Sequence, residues 1–205
     1  MYRLFIKRLI DVIASFIGLV LLSPILLILA CLIKFESKGP VLFKQKRLGK
    51  QGKEFLIFKF RTMVVGAENT GTGLFTDGND PRITKTGRFL RKFSLDELPQ
   101  FINILKGDMS LIGPRPPVPY HPYKFAEYPE EFKVRFLYRP GVTGLAQVNG
   151  RTNLTWTQRL ELDKIYHEKF SFLLDLQIIF KTIWKIVRRE DVYPEDINIG
   201  KKHLT

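Results

Sequence analysis

Cysteine is nearly absent. Cys31 alone excludes a disulfide framework and a cysteine-built zinc site, and suits a reducing compartment. Histidine is almost as scarce, and His121, His167 and His203 lie apart with no HExxH-like spacing, which argues against a histidine metal site. Acid is short relative to base: 20 Asp+Glu stand against 33 Lys+Arg in 205 residues, a net charge of +13. Such a field favours an anionic partner, whether nucleic acid, an acidic bilayer or phosphorylated substrates. No internal repeat is apparent. The glycine-rich stretch Gly66–Gly78 lacks the GK[ST] ending of a P-loop, so it reads as a mobile loop and carries no nucleotide claim. Apolar residues are not lacking; at 45% they exclude wholesale disorder and suit one compact domain with an appended element.

The appended element is amino-terminal. Val12 to Ile33 is an uncharged run of 22 positions, about 33 Å as a helix against a hydrocarbon core of about 30 Å. Ser23-Pro24 falls near its middle, where proline removes a backbone hydrogen bond and should kink the helix, and the Ser23 hydroxyl can satisfy a freed carbonyl one turn back. Both flanks are cationic, with Arg3, Lys7 and Arg8 before the run and Lys34, Lys38, Lys44, Lys46 and Arg47 after it. The positive-inside rule then wants both flanks on the cytoplasmic side. A re-entrant helix–break–helix over residues 1–38 satisfies both features. A single span remains the alternative, and a signal peptide is disfavoured because the chain stays apolar after Cys31.

Residues 39–188 read as the main domain and 189–205 as a tail. Strands are expected near Val41–Gln45 and Phe55–Phe60 around a turn at Gly49–Gly52, a basic hairpin suited to anionic lipid. Thr84–Lys106 is helical in pattern with an interruption near Ser94. Gly107–Pro119 is proline-rich and irregular, Pro129–Leu137 a helix, and Arg139–Arg151 a glycine-punctuated loop. Two helices follow. The last, Ser171–Arg188, has a broad apolar side that suits either an interfacial helix or packing on the core, with Asp175, Lys181, Lys185 and Arg188 elsewhere. The fold class expected is α+β: a mainly helical monotopic membrane protein with a small β-hairpin and interfacial amphipathic helices.

The chemistry centres on Ser94-Leu-Asp96-Glu97-Leu-Pro99. Ser94 and Glu97 match a capping box, a purely structural reading. Pro99 fits a first helical turn, which places both carboxylates beside free backbone N–H groups that also attract phosphate. Arg91 and Lys92 should keep Asp96 ionised, so that it can attack phosphorus, while Glu97 can hold Mg²⁺ or take a proton from an acceptor. Prolines on both sides fix Arg115, which with Arg91 and Arg151 is a candidate for binding non-bridging oxygens.

Six ordered motifs carry a resemblance. Lys59-Phe-Arg-Thr-Met63, Asp80-Pro-Arg-Ile-Thr84, Gly87-Arg-Phe-Leu-Arg91, Ser94-Leu-Asp-Glu-Leu-Pro-Gln100, Asn103-x-Leu-Lys-Gly-Asp-Met-Ser-x-Ile-Gly-Pro-Arg-Pro116 and Arg139-Pro-Gly-Val-Thr-Gly-Leu-Ala-Gln-Val-Asn-Gly-Arg151 resemble the bacterial sugar transferases, the small monotopic phosphoglycosyl transferases. The resemblance implies transfer of a sugar-1-phosphate from a UDP-sugar to polyprenyl (undecaprenyl) phosphate, with UMP leaving, at the start of surface glycan assembly. It implies Asp96 as nucleophile, Glu97 as its partner in acceptor activation, Mg²⁺ at Asp96 and Glu97, and phosphate binding by Lys59, Arg91, Arg115 and Arg151. It also implies re-entry at Ser23-Pro24, the minimal catalytic form, and a place in the bacterial inner membrane with the domain on the cytoplasmic face. A basic membrane-tethered binding or scaffold protein is the alternative. That reading gives Asp96-Glu97 no role, and carboxylates at the centre of a nucleic-acid patch would be counterproductive, so no nucleic acid is expected. Oligomeric state is not legible, and a homodimer stays open.

Overall fold

The computed structural model describes residues 2–70, 79–150 and 153–188. Arg151, most of the Gly66–Gly78 loop and the 189–205 tail therefore lie outside the described residues. The chain is mainly helical, with one antiparallel hairpin as its largest sheet.

Helix α1 runs from Lys7 to Glu36, about 45 Å at 1.5 Å per residue. It is long and apolar enough to cross a membrane by length and composition. The expected division into two helices does not occur, because α1 continues through Pro24. The Ser23 hydroxyl donates to the Val20 carbonyl at 2.8 Å, the carbonyl that Pro24 leaves without its usual donor. Leu9, Phe16, Leu21, Leu27 and Phe35 are exposed, apolar surface that none of the described residues covers.

The opposite side of α1 is fastened to the domain along its length. At the amino end, Lys7 pairs with Asp175 at 2.8 Å, Arg8 donates to the Ile104 carbonyl at 2.7 Å, and Asp11 accepts from the Leu111 N–H at 3.0 Å. Midway, a Cβ on Gly18 would meet the Phe101 ring at 2.8 Å, so the helix lies close against that side chain. At the carboxyl end, Leu29 and Ile33 pack with Phe60 and Leu90. There Arg61 donates to the carbonyls of Ser37 (2.8 Å) and Lys38, covering chain that has just left the helix. Glu36 in turn accepts from the N–H groups of Lys85 (2.7 Å) and Thr86 (3.0 Å), capping the next helix.

The hairpin forms as the alternation predicts. Strand β1 (Leu42–Leu48) pairs antiparallel with β2 (Glu54–Phe60), Phe43 opposite Lys59, and β1 extends three residues beyond Gln45 before a turn built on Gln51 and Gly52 at positive φ. Among the described residues no third strand pairs with the outer edge of β2. Asn103 takes that place: it accepts from the Phe58 N–H at 2.9 Å and donates to the Leu56 carbonyl at 2.7 Å.

Helix α2 (Lys85–Lys92) and helix α3 (Gln100–Lys106) are separated where the pattern broke, at Ser94. Two stretches expected as irregular are ordered instead: β3 (Ser110–Ile112) pairs in parallel with β4 (Gly141–Thr143), followed by the short α4 (Leu145–Val148). The reason is steric. A Cβ on Gly141 would fall 2.1 Å from the Gly113 nitrogen, and one on Gly144 would fall 2.2 Å from the Gly113 oxygen, so the glycines that read as loop are what lets the two backbones meet. Glu130–Leu137 is 3₁₀ rather than α-helix. Helix α5 (Trp156–Glu168) is capped by Thr155 and Gln158, and helix α6 (Phe172–Arg188) ends the described chain. Helix α6 packs on the core through Ile178, which is buried, while Phe180, Ile183, Trp184 and Val187 are exposed. Asp175, expected on its polar side, is buried and accepts from Tyr2 (2.6 Å), Tyr166 (2.8 Å) and Lys7.

Candidate functional site

Ser94 adopts a left-handed conformation, φ 55°, that a serine enters at a cost of about 1 kcal/mol. It reverses the chain between α2 and a 3₁₀ turn, Leu95–Glu97. The helix expected to begin at or just after Asp96 begins only at Gln100: Pro99 is the residue before α3, and both carboxylates lie on the preceding turn. The capping box does not form, since Ser94 makes no side-chain cap bond. Glu97 is used differently. Its Oε1 accepts from Lys59 Nζ at 2.7 Å and Arg115 Nη2 at 2.9 Å, joining β2 to the proline-rich turn.

That turn is anchored through its carbonyls, the only backbone groups prolines offer. Pro114 accepts from the Gly141 N–H (2.9 Å), Arg115 from Arg135 (2.8 Å), Pro116 from Arg47 (3.0 Å) and Pro117 from the Leu48 N–H (2.9 Å). Arg91 is placed by close approach. A Cβ on Gly87 would lie 2.0 Å from the Thr62 oxygen, so only glycine lets α2 rest on that strand end, where Arg91 Nε donates to Thr62 Oγ1 at 2.9 Å.

Lys59, Arg91, Asp96, Glu97 and Arg115 line one cavity of about 690 Å³, a size ordinary for a small-molecule site. Arg61, from the Lys59–Met63 motif, lines it too, with three arginines outside the motifs: Arg47, Arg135 and Arg159. Arg61 is spent on the end of α1, but the others crowd positive charge. Burial, then Arg115, lowers Arg47 to about 10; burial, then Arg115 and Arg135, lowers Arg159 to about 10. Burial likewise pushes Lys59 down, opposed mainly by Glu97, whereas Glu97 holds Arg115 up. Cations crowded in this way would be relieved by an anion, so the arrangement is chemically suited to phosphate groups. Trp156, Arg159 and Asp163 recur at helical spacing on α5, a signal that could have been read from the sequence.

Burial pushes the Asp163 carboxyl up to about 6, against the pull of Arg135 and Arg159. Arg135 lies 3.1 Å away, but Asp163 Oδ2 makes no aligned hydrogen bond, so the pair does not offset desolvation. A raised native value means the folded protein binds this proton more tightly than the unfolded chain. Ionised Asp163 therefore destabilises above about pH 6, and the penalty fades as pH falls from about 6 toward the ordinary carboxylate range. Thermal unfolding of wild type and Asp163→Asn checks this: between about pH 7.5 and pH 5 the difference should move in favour of wild type. Movement the other way would mean that the Arg135 pair dominates.

Among the described residues no group of three or more His, Cys, Asp or Glu is placed to hold a metal ion by itself. The dyad supplies two carboxylates, with Glu97 Oε1 already engaged. This donor set fits Mg²⁺ as an ion shared with substrate phosphates and water, the usual form for that cation.

Comparison with known proteins identifies the family. The model of the bacterial sugar transferase family matches residues 2–189. The UDP-glucose:undecaprenyl-phosphate glucose-1-phosphate transferase of Klebsiella pneumoniae is 46% identical over 184 residues, 87% of this chain and 39% of that protein. The UDP-N-acetylgalactosamine-undecaprenyl-phosphate N-acetylgalactosaminephosphotransferase of Aeromonas hydrophila is 45% identical over 186 residues, 89% and 44% of the two chains. An uncharacterised sugar transferase of Bacillus subtilis, EpsL, is 42% identical over 188 residues and matched over 90% of its length. The chain thus spans about two fifths of several relatives with assigned activities and nearly all of another. With a family match running from the start of the membrane helix to the end of α6, the chain belongs to the bacterial sugar transferases.

Proposed function

We propose that the protein transfers a sugar-1-phosphate from a UDP-sugar to undecaprenyl phosphate, releasing UMP and leaving a polyprenyl-diphosphate sugar. The observation that carries this is the half-buried Asp96 at the wall of a cavity crowded with cations. An Asp96 carboxylate oxygen bonds to the phosphorus that bears the sugar, the bond from that phosphorus to the UMP oxygen breaks, and UMP leaves with the electron pair. A phosphate oxygen of the acceptor then bonds to the same phosphorus and returns Asp96 to its carboxylate. Lys59, Arg91 and Arg115 hold non-bridging oxygens and neutralise charge as it develops. Arg151, outside the described residues, is proposed for the same task on the strength of its motif. Glu97 orients Lys59 and Arg115, and with Asp96 it would hold Mg²⁺, which would supply further charge neutralisation at the diphosphate. Intact-protein mass after incubation with Mg²⁺ and a panel of UDP-sugars, without acceptor, tests the reading. A phosphosugar adduct is expected; neither adduct nor UMP release on adding polyprenyl phosphate would sink it.

Re-entry in the cytoplasmic face of the inner membrane is part of the proposal. Its support is that one domain binds both ends of α1 through polar contacts, Arg8 and Asp11 at one end and Glu36 at the other. A helix crossing the bilayer would carry one of those ends, and its partners, to the far side. The helix is then seated at the interface, with its apolar face and that of α6 in lipid. Tags at residue 1 and after Phe35 should be accessible from the same side, and labelling from opposite sides would refute it.

A further inference from the structure

The cavity has two unlike sets of lining residues. Beside the cations and Asp96, it is bounded by Pro40, Leu42, Phe43, Met63, Val64 and Val65. Val64 and Val65 are 47% and 64% exposed, yet their turn is fixed: the Val64 N–H donates to the Arg82 carbonyl at 2.9 Å, and Met63 bridges to Ile83. Single exposed valines are ordinary, but these adjoin the membrane helix. A Cβ on Gly39 would meet Val65 Cγ2 at 2.6 Å, so Val65 sits on the turn that follows α1, and the last turn of α1 exposes Phe35 at 89%. Apolar side chains therefore recur from the last turn of α1, past Gly39, to the 64–65 turn at the lip of the cavity, with Arg61 Nη1 beside Val65 on that turn.

We propose that the Val64–Val65 turn, with Pro40, Leu42 and Met63, is the passage by which the prenyl tail of the acceptor leaves the cavity for the bilayer. This rests on the reading of the acceptor as a polyprenyl phosphate. An amphiphile of that kind needs its phosphate among the cations and its first isoprene units out of water at the same time. The arginines meet the first need and cannot meet the second; the valine turn supplies apolar side chains between the cavity and the helix that lies in lipid. The nucleotide sugar has no apolar tail and makes no demand on this lip, so the turn governs the second half-reaction alone.

The test compares Val65→Glu and the milder Val64→Ser/Val65→Ser pair with wild type in phospholipid vesicles. With a 55-carbon polyprenyl phosphate the KM should rise about ten- to hundredfold. With a 10-carbon prenyl phosphate, soluble enough not to need the passage, the rise should be several times smaller. Adduct formation from the UDP-sugar alone and flotation with acceptor-free vesicles should stay as in wild type. An unchanged KM for the long acceptor would overturn the proposal. So would an equal loss with both chain lengths, or parallel losses in adduct formation or flotation, which would assign the valines to the fold or to general membrane attachment. A wild-type protein that forms the adduct but ignores every prenyl phosphate would overturn the acceptor reading and the passage with it, whereas absence of the adduct as well would point to failure of the transferase reading itself.

Discussion

Asp96→Asn should form no phosphosugar adduct and should lower turnover on the order of 10⁴-fold or more, the scale seen when a covalent nucleophile is removed. The substitution keeps the size of the side chain, and the 3₁₀ turn is held by Ser94 and by Glu97, so the fold should survive with little change in melting temperature. UDP-sugar binding should persist, because Lys59, Arg91 and Arg115 remain in place. Single-turnover release of UMP separates the outcomes. A variant that still releases UMP in a burst and carries an adduct would move the nucleophile elsewhere. A variant that turns over without any adduct would favour direct attack by the acceptor.

Glu97→Ala should fail in a different way, through stability as well as rate. It leaves Lys59, whose charge burial already disfavours, and Arg115 without the carboxylate between them. Removing one partner of a buried ion pair costs about 3–5 kcal/mol, and the partial exposure of Arg115 argues for the lower end. For a chain of this length, about 3 kcal/mol corresponds to a drop in melting temperature of roughly 6–12 °C. Glu97→Gln keeps an acceptor oxygen and should lose less. Combining Glu97→Gln with Lys59→Met should recover part of the loss, since the double variant has no unpaired buried lysine. If Glu97→Ala melted like wild type but were inactive, the residue would act only on substrate or metal, and the positioning role would be wrong.

The apolar helix, the hairpin, the break at Ser94 and the Asp96-Glu97 pair close to Arg91 were legible because each is a local matter: hydropathy over consecutive residues, alternation, a serine and a proline inside a helical pattern, charge beside charge. The Val20 carbonyl and the Ser23 hydroxyl are neighbours on one helix, so even their bond was foreseeable. What misled was also local. Ser94 and Glu97 have the right spacing for a capping box, but a carboxylate offered Lys59 and Arg115 bonds to charge in preference to a backbone N–H. Glycines at 113, 141 and 144 signal a turn when read alone, and become the contact surface of two parallel strands only when distant segments meet.

By itself, then, the sequence determined which residues carry charge, which stretch needs lipid and which motifs mark the family. The tertiary structure decided what those residues touch. It gathered Arg47, Arg135 and Arg159 from three segments around Arg115, gave Arg61 to the end of α1, turned Asn103 into a substitute strand, and fastened both ends of the membrane helix to one domain. Each of these is a contact between residues far apart in the chain. No propensity or spacing specifies such contacts, because they are fixed by which buried groups can find a partner once the chain has closed on itself.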